Sequence, residues 1–451
     1  MFNLNKYKNI LILGFGLEGR ASLDYILKKK KNAELSIADQ SQKILTEKDK
    51  KKYKNFKFIL GKNYLKNSFL EKNNYDLIIK SPGVSIDLIP KNRRKFVNTV
   101  TNIFLENCRG EIIGVTGTKG KTTTASLIYK ILKKAKKDVY LVGNLGNDPL
   151  QYLNDTKNKI FVYELSSYQL ETLEKSPKVA VFLTMFPDHL DYHSSFLKYK
   201  KAKSNIFRFQ KSKDLFFYNH NFFKEKDIER VKSKKINFIK KCKIKNNSIY
   251  LNNQKIINLA DIKLLGEHNL DNIFAAISVA NFYKISKSII KKAIRDFLPI
   301  PHRLEFIRKI NRIEFYNDAI STTPESTIAG IKVFKKKLGG IILGGLDRGY
   351  DFKELAEVLV DIEIDAISFF PNSSNVILRE LKKIYKVRGK KLPKYIKTKS
   401  MAEAVKFLYK NISPDKVCLL STASPSYSIF NNFIDKGNQF RKEVEKLKIR
   451  K

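Results

Sequence analysis

The chain has 451 residues, 43% of them hydrophobic, and a formal net charge of +44. That length is more than one core usually holds, so two or three domains are expected, and no apolar run reaches the length of a membrane span. The three cysteines, Cys108, Cys242 and Cys418, stand far apart with no metal or redox spacing, which fits a reducing cytoplasm. The lysines run along the whole chain, mixed with Asn, Ile and Tyr, and tryptophan is absent. This pattern reads as a solvated lysine surface from AT-rich codons, not as a nucleic-acid groove, although its field would speed the arrival of anionic substrates.

The opening MFNLNKYKNILILGFG lacks a small-residue cleavage site, and its apolar run ends in a glycine turn. It predicts a first strand, not a signal peptide. KNILILGFGLEGR predicts a strand over residues 10–13, a turn from Gly14 through Gly16 and Leu17 to Gly19, and a helix from Arg20. A second strand, ELSIAD, ends at Asp39. This is G-x-G-x-x-G in its strand–turn–helix setting, where glycines let the backbone approach a diphosphate at a helix N-terminus. Alone, it suits a dinucleotide oxidoreductase, or a tight turn with no ligand. DLIIKSPGVS predicts another strand, ending in Ser81-Pro82-Gly83. The alternation of strands and helices points to a parallel sheet.

GVTGTKGKTTT, at 114–124, does not fit G-x-x-x-x-G-K-[ST], because Val115 stands where the first glycine belongs. A shorter loop turning at Gly117 and Gly120 can still join a strand to a helix N-terminus, where N–H groups and the helix dipole favour phosphate. In such a loop Lys121 reaches the outer phosphates and Thr122 ligates magnesium. KIFVYELSSYQLE places Glu164 at a strand end, and VAVFLTMFPDHLDYHSS places Asp188, His189 and Asp191 just after another. Ligands of α/β sheets gather at those ends, so these residues form a candidate phosphate and magnesium site. His193 and His220 read as surface or capping residues. FLKYKKAKSNIF carries Lys203 on a helix, in a run where most lysines are solvated. LLGEHNLDNIFAAISVANFY begins a long helix with His268, Asn269 and Asn272 near its start.

LPIPHRLEF marks a boundary by its prolines. Beyond it, INRIEFYNDAISTTPEST predicts a strand ending at Asp318, LGGIILGGLDRGYDF a strand and glycine turn, and VCLLSTASPSYSIFNNFIDKGNQF a strand, a loop and a helix. This is again a small α/β domain.

GTKGKT, ELSSYQLE, DHLDYH, YKKAK, GEHNLDN, PHRLE and GNQF follow one another in this order. On these motifs the whole chain resembles the Mur ligase family, and within it the members that add glutamate. The resemblance implies three α/β domains: a Rossmann-like UDP-binding domain at 1–105, a central P-loop ATPase domain with a mostly parallel sheet at 106–298, and a Rossmann-like amino-acid-binding domain at 299–451. It implies an ATP-dependent acid–amino-acid ligase that joins glutamate to UDP-N-acetylmuramoyl-L-alanine through an acyl phosphate, in peptidoglycan precursor synthesis. It further implies a cytoplasmic monomer with small-molecule partners and no nucleic acid. By the same resemblance Gly14, Gly16, Leu17, Gly19, Asp39, Ser81, Gly83 and Asn144 fall to the UDP-sugar. Gly117, Thr118, Lys119, Gly120, Lys121, Thr122, Thr123, Asn269, Asn272, Arg303 and Asp318 fall to ATP, with His302 beside them. Lys121, Glu164, His189 and Lys203 become the catalytic set. Thr122 and Glu164 would hold one Mg2+, and His189 with a carbamylated Lys203 a second. Thr322, Arg348, Ser426 and Phe433 would meet the amino acid.

Two positions depart from the family pattern. Its N-D-S-K-A-T-N stretch is here Asn317-Asp318-Ala319-Ile320-Ser321-Thr322-Thr323, with Ile320 for lysine, and Arg348 stands where a lysine is usual. Both fall where the amino acid is met. D-glutamate is the default expectation, with L-glutamate as the alternative and a folylpolyglutamate-synthase-like ligase behind both. A nicotinamide oxidoreductase would leave GTKGKT unused, and a nucleic-acid-binding ATPase lacks a recognition motif.

Overall fold

The computed structural model describes residues 2–30, 32–70, 72–144, 146–427 and 429–449; the side chains of Glu225 and His268 lie outside the described set. The chain forms two compact units, one made of Met1–Ile262 and Glu267–Phe297, the other of Lys263–Gly266 and Leu298–Lys451.

The first unit contains two parallel sheets. The first sheet is built from β1 (Asn9–Leu13), β2 (Glu34–Asp39), β3 (Lys57–Leu60), β4 (Leu77–Lys80) and β5 (Val97–Asn98), in the order β3-β2-β1-β4-β5. The second has β6 (Glu111–Thr116), β7 (Val139–Gly143), β8 (Ile160–Glu164), β9 (Val179–Phe182), β10 (Leu215–Tyr218) and β11 (Lys234–Asn237), in the order β11-β10-β9-β6-β8-β7. The central strands read as unbroken apolar runs because helices cover both faces. β4 and β9 are buried along their whole length. A small antiparallel sheet of β12 (Cys242–Lys245), β13 (Ser248–Leu251) and β14 (Gln254–Asn258) follows. The helix after the glycine turn starts at Leu17, three residues ahead of the sequence expectation, because Gly16 serves as its N-cap.

One apolar cluster runs from Ile10 and Ile12 of the first sheet to Phe161, Ala180 and Phe182 of the second. Phe104, on the helix Val100–Asn107, stands edge-on to Phe161 and Tyr163 at ring distances of 5.1 and 5.9 Å. The two sheets thus share one apolar cluster, and the two Phe104 ring contacts hold its helix to the second sheet, each worth about 0.5–1.5 kcal/mol beyond area burial.

Among its described residues the second unit has one sheet: β15 (Glu305–Ile310), β16 (Ile313–Asn317), β17 (Leu338–Gly345), β18 (Ala366–Asn372), β19 (Lys394–Lys397) and β20 (Val417–Leu420), in the order β15-β16-β20-β17-β18-β19. Only the β15·β16 pair is antiparallel; the rest are parallel. β16 stops at Asn317, so Asp318 opens the following loop.

Phe104 is fully buried, and removing its ring leaves a cavity in the apolar cluster of the first unit. Phe104→Ala should destabilise that unit by about 3–5 kcal/mol, read as a lower denaturant midpoint with little change in slope.

Candidate active site

Three strand ends of the second sheet meet at one place. β6 runs into the loop at 117–120, and the helix Lys121–Lys134 starts directly after it. Gly120 is the N-cap with φ +87°, and a Cβ there would run into the Asn272 side-chain oxygen. Only glycine meets both conditions, which is why the loop can be short. The loop is also tied to the segment after β9. Thr118 N–H donates to Thr184 O at 2.8 Å, Lys119 N–H donates to Thr184 Oγ1 at 2.9 Å, and Phe186 N–H donates to Thr118 Oγ1 at 3.0 Å.

Lys121 folds its ammonium back over the loop, donating to the carbonyls of Gly117 and Thr118 at 3.0 and 3.1 Å. Thr122 Oγ1 donates to Glu164 Oε1 at 2.9 Å, and Glu164 is buried as the last residue of β8. Thr123 is buried on the inner face of the same helix. Asn272 accepts from Thr124 Oγ1 at 3.2 Å and donates to Asn269 Oδ1 at 2.9 Å, so this pair supports the loop from the helix His268–Phe282.

Lys203 is 1% exposed on the helix Phe196–Arg208. Its Nζ donates to Gly117 O at 2.9 Å and Thr116 Oγ1 at 3.2 Å, and lies 5.1 Å from the centre of the Tyr199 ring. Burial drives the amine well below its usual pKa, and the nearby Lys121 charge adds to this. His189 sits in the left-handed region at φ +53° and caps the helix Leu190–His193. Its ring lies 5.0 Å from that of Tyr168. Burial, opposed by Asp188 and reinforced by Lys121 and Lys203, lowers its pKa and favours the neutral imidazole. Asp188 is 3.7 Å from Lys119 Nζ.

The glycine turn of the first sheet lies in the same unit. Gly14 has φ +90°, and its carbonyl accepts from Ser81 Oγ at 2.7 Å. Gly19 packs so tightly that a Cβ would clash with Gly14 O, whereas Gly16 and Gly83 face open space. Leu17 is 91% exposed beside them. Asp39 accepts from Phe15 N–H at 2.7 Å and Ser41 N–H at 2.8 Å, so both its oxygens are engaged in shaping the turn. Asn144 is exposed after β7.

In the second unit Asp318 is buried, accepting from Leu304 N–H at 3.3 Å and Ser421 Oγ at 3.0 Å. Burial raises its pKa to about 6. His302 is buried 3.0 Å from Asn317 Nδ2, and Phe433 stands 6.2 Å from its ring. Thr322 and Arg303 are half-buried, Arg348 is exposed, and Ser426 is buried with its hydroxyl lacking a hydrogen-bond partner.

His193 corrects the sequence expectation. It is 3% exposed, bonded through Nε2 to Ser167 Oγ at 3.0 Å and stacked on Tyr168. Burial holds its pKa down to about 4, so it is a neutral structural ring. His220 is exposed, as expected. Tyr168, Tyr199 and Thr116 were not legible as site residues; ELSSYQLE and YKKAK contain two of them, but only packing reveals their role.

The sequence profile of the Mur ligase middle domain matches residues 115–280. The UDP-N-acetylmuramoylalanine–D-glutamate ligase of Acetivibrio thermocellus is 32% identical, over 98% of this chain and 97% of that protein. This chain belongs to the Mur ligase family. A Clostridium botulinum (strain Kyoto) protein of the same name is 30% identical, with the same coverage. Two solved Mur ligase structures from Thermotoga maritima share the fold. The UDP-N-acetylmuramate-alanine ligase MurC gives a TM-score of 0.58 at 17% identity, covering 97% of this chain and 99% of that one. The MurF ligase in complex with ADP gives 0.55 at 17% identity, covering 99% and 97%. The three-domain α/β fold of Mur ligases is therefore the fold of this chain.

The Mur ligase loop depends on Gly120. Gly120→Ala should weaken ADP binding about tenfold or more through backbone strain and the Asn272 clash, while the far-ultraviolet dichroism of the protein stays native. Isothermal titration with Mg·ADP checks this; wild-type affinity would show that the loop tolerates a side chain.

Proposed function

We propose that this Mur ligase uses ATP to join D-glutamate to UDP-N-acetylmuramoyl-L-alanine through an acyl phosphate, in peptidoglycan precursor synthesis. The observation that carries the proposal is the meeting of Lys121, Thr122 and Glu164 at one helix N-terminus, in a chain that aligns end to end with ligases of that name. The carboxylate of the substrate is a poor electrophile, so it must first take the γ-phosphoryl group of ATP. The glutamate amine then attacks the carbonyl and phosphate leaves. Charge builds on phosphoryl oxygens, so fixed donors and cations lower the barrier. The loop amides and Lys121 supply them here.

The donor set fits Mg2+. Among the described residues no three or more His, Cys, Asp or Glu side chains form a metal-binding group. A hydroxyl and a carboxylate 2.9 Å apart are what a nucleotide-borne magnesium requires, since that ion keeps waters and phosphate oxygens as its other ligands. Bound there, magnesium would neutralise phosphoryl charge. Thr122 and Glu164 hold this first ion in our reading.

The finer assignment adds a second Mg2+ held by His189 and a carbamylated Lys203. The lowered pKa of Lys203 supports it, because a neutral amine attacks CO2 and releases a proton. The carbamate so formed is an oxygen ligand, where a bare ammonium would repel the metal. We assign 1–105 to the UDP-sugar through Gly14, Gly16, Leu17, Gly19, Asp39, Ser81, Gly83 and Asn144. The segment 106–298 takes ATP, with Gly117 to Thr123, Asn269 and Asn272, and 299–451 takes glutamate through Thr322, Arg348, Ser426 and Phe433. Arg303 and Asp318 serve ATP in the same reading. We place the enzyme in the cytoplasm as a monomer; among the described residues no helix is long and apolar enough to cross a membrane.

ADP release with ATP, Mg2+ and UDP-N-acetylmuramoyl-L-alanine should depend on added D-glutamate and not on L-glutamate. The reverse dependence would trace to Ile320 and Arg348, and release with neither would remove the ligase reading. For Lys203, protein equilibrated with 13C-bicarbonate should show a carbamate carbon signal that Lys203→Arg lacks, and CO2-depleted buffer should lower turnover. An unchanged spectrum in the variant would place the carbamate elsewhere.

A further inference from the structure

Glu18 occupies a free position of the glycine turn, in the first turn of the helix Leu17–Lys29. A surface carboxylate there would cap the helix dipole. Instead its carboxyl group is buried: Oε1 accepts from Gln169 Nε2 at 2.7 Å, and Oε2 is buried with no hydrogen-bond partner. Gln169 is held at its other end too. Its Oε1 accepts from Ser166 N–H at 2.9 Å and Ser166 Oγ at 3.0 Å, closing the capping box of the helix Ser167–Leu170. That helix follows directly on the Glu164 strand end, so a side chain of the first sheet's glycine turn fixes the turn behind the magnesium ligand.

The surroundings are charged. Lys80 is fully buried, donates to Val84 O at 2.7 Å and stands 3.7 Å from Glu171 Oε2. Glu171 Oε2 also lies within hydrogen-bonding reach of Tyr192 OH at 3.0 Å and Ile86 N–H at 3.3 Å. Lys80 acts on Glu18 as well, so one buried cation serves two carboxyl groups, and Asp148 adds a further negative charge from the loop after β7. The Tyr163 phenol faces Glu18 from β8, and the neutral His193 faces Lys80. With one cation for two acids, one acid is best kept protonated.

We propose that Glu18 is a positioning residue for the ligation: by holding Gln169 it sets the Ser166–Glu171 turn, and with it Glu164, against the glycine turn of the first sheet. The proposal rests on the ligase reading above for its turnover test, but not for its binding test. Without Glu18, Gln169 Nε2 loses its acceptor, and the turn keeps its internal cap and the Glu171 contacts but not the Gln169 tie to the glycine turn.

Burial raises the Glu18 pKa from 4.5 to about 7. The native state therefore binds more protons than the unfolded state between these values. Its contribution to stability is full below about 4.5 and is lost as pH rises through about 7. Glu18→Gln keeps the acceptor for Gln169 and removes the titration. Glu18→Ala removes both.

The experiment measures Mg·ADP affinity and steady-state ADP release for wild type and both variants across pH, with melting curves as the folding control. Glu18→Ala should weaken Mg·ADP binding and lower kcat about tenfold, with little change in KM for the UDP-sugar. Glu18→Gln should stay close to wild type in both and lose the change near pH 7 that the wild type shows. Wild-type behaviour of Glu18→Ala, an effect confined to the UDP-sugar KM, or a Glu18→Gln as impaired as Glu18→Ala would each overturn the proposal. If the wild type ligates no glutamate at all, the ligase reading fails, while the Mg·ADP titration still decides the role of Glu18.

Discussion

Lys203 places its nitrogen 2.9 Å from the Gly117 carbonyl, beneath the glycine loop that leads into the helix Lys121–Lys134. A buried ammonium is costly unless it is paired or neutralised; here its hydrogen-bond partners are a carbonyl and a hydroxyl, and the charges acting on it are Lys121 and, with opposite sign, Asp188 and Glu164. Burial, ahead of the Lys121 charge, lowers its pKa, opposed by Asp188 and Glu164. The loop, the Thr122–Glu164 pair and the His189 segment all pack around that point.

The other constraint is the way two sheets share a unit. The shared apolar cluster joins them by packing, and Glu18, Gln169, Lys80, Glu171 and Tyr192 join them by polar contacts. Packing holds the sheets together, but it permits small shifts. The part-buried hydrogen bond from Gln169 Nε2 to Glu18 Oε1 has direction, which packing lacks. A carboxylate trapped between two turns, with one lysine for two acids, sits near its titration point at neutral pH. Geometry and protonation are coupled at this junction for that reason.

The second unit buries its polar groups by another route. Asp318, Ser421 and Thr327 form a buried polar core at the end of β16 and β20. Buried Lys436 lies under the same strand ends, bonded to Thr422 Oγ1 at 2.5 Å, with burial lowering its pKa to about 7. Ile320 stands two residues after Asp318, so the lysine missing from the family pattern is missing close to an acid that is already buried and hydrogen-bonded. The exposed Arg348 remains a cation in the neighbouring loop.

The sequence by itself determined the parallel α/β class, the strand that ends in Glu164, the strand–loop–helix run of GTKGKT and the order of motifs that marks the family. Each of these depends on neighbours along the chain: apolar runs, glycines where φ turns positive, and an acid at the end of an apolar strand. His193 was misread as a surface residue because a histidine in DHLDYH has the same local surroundings whether its ring is solvated or stacked on Tyr168. Glu18 went unnoticed because the glycine pattern leaves its position free. Only the tertiary structure decided that Lys203, one lysine in a lysine-rich helix, is buried under the loop, and that Glu18 reaches Gln169. The physical reason is that burial and pairing are set by chain segments far apart in sequence, and a local pattern does not record which side chains the fold will bring together.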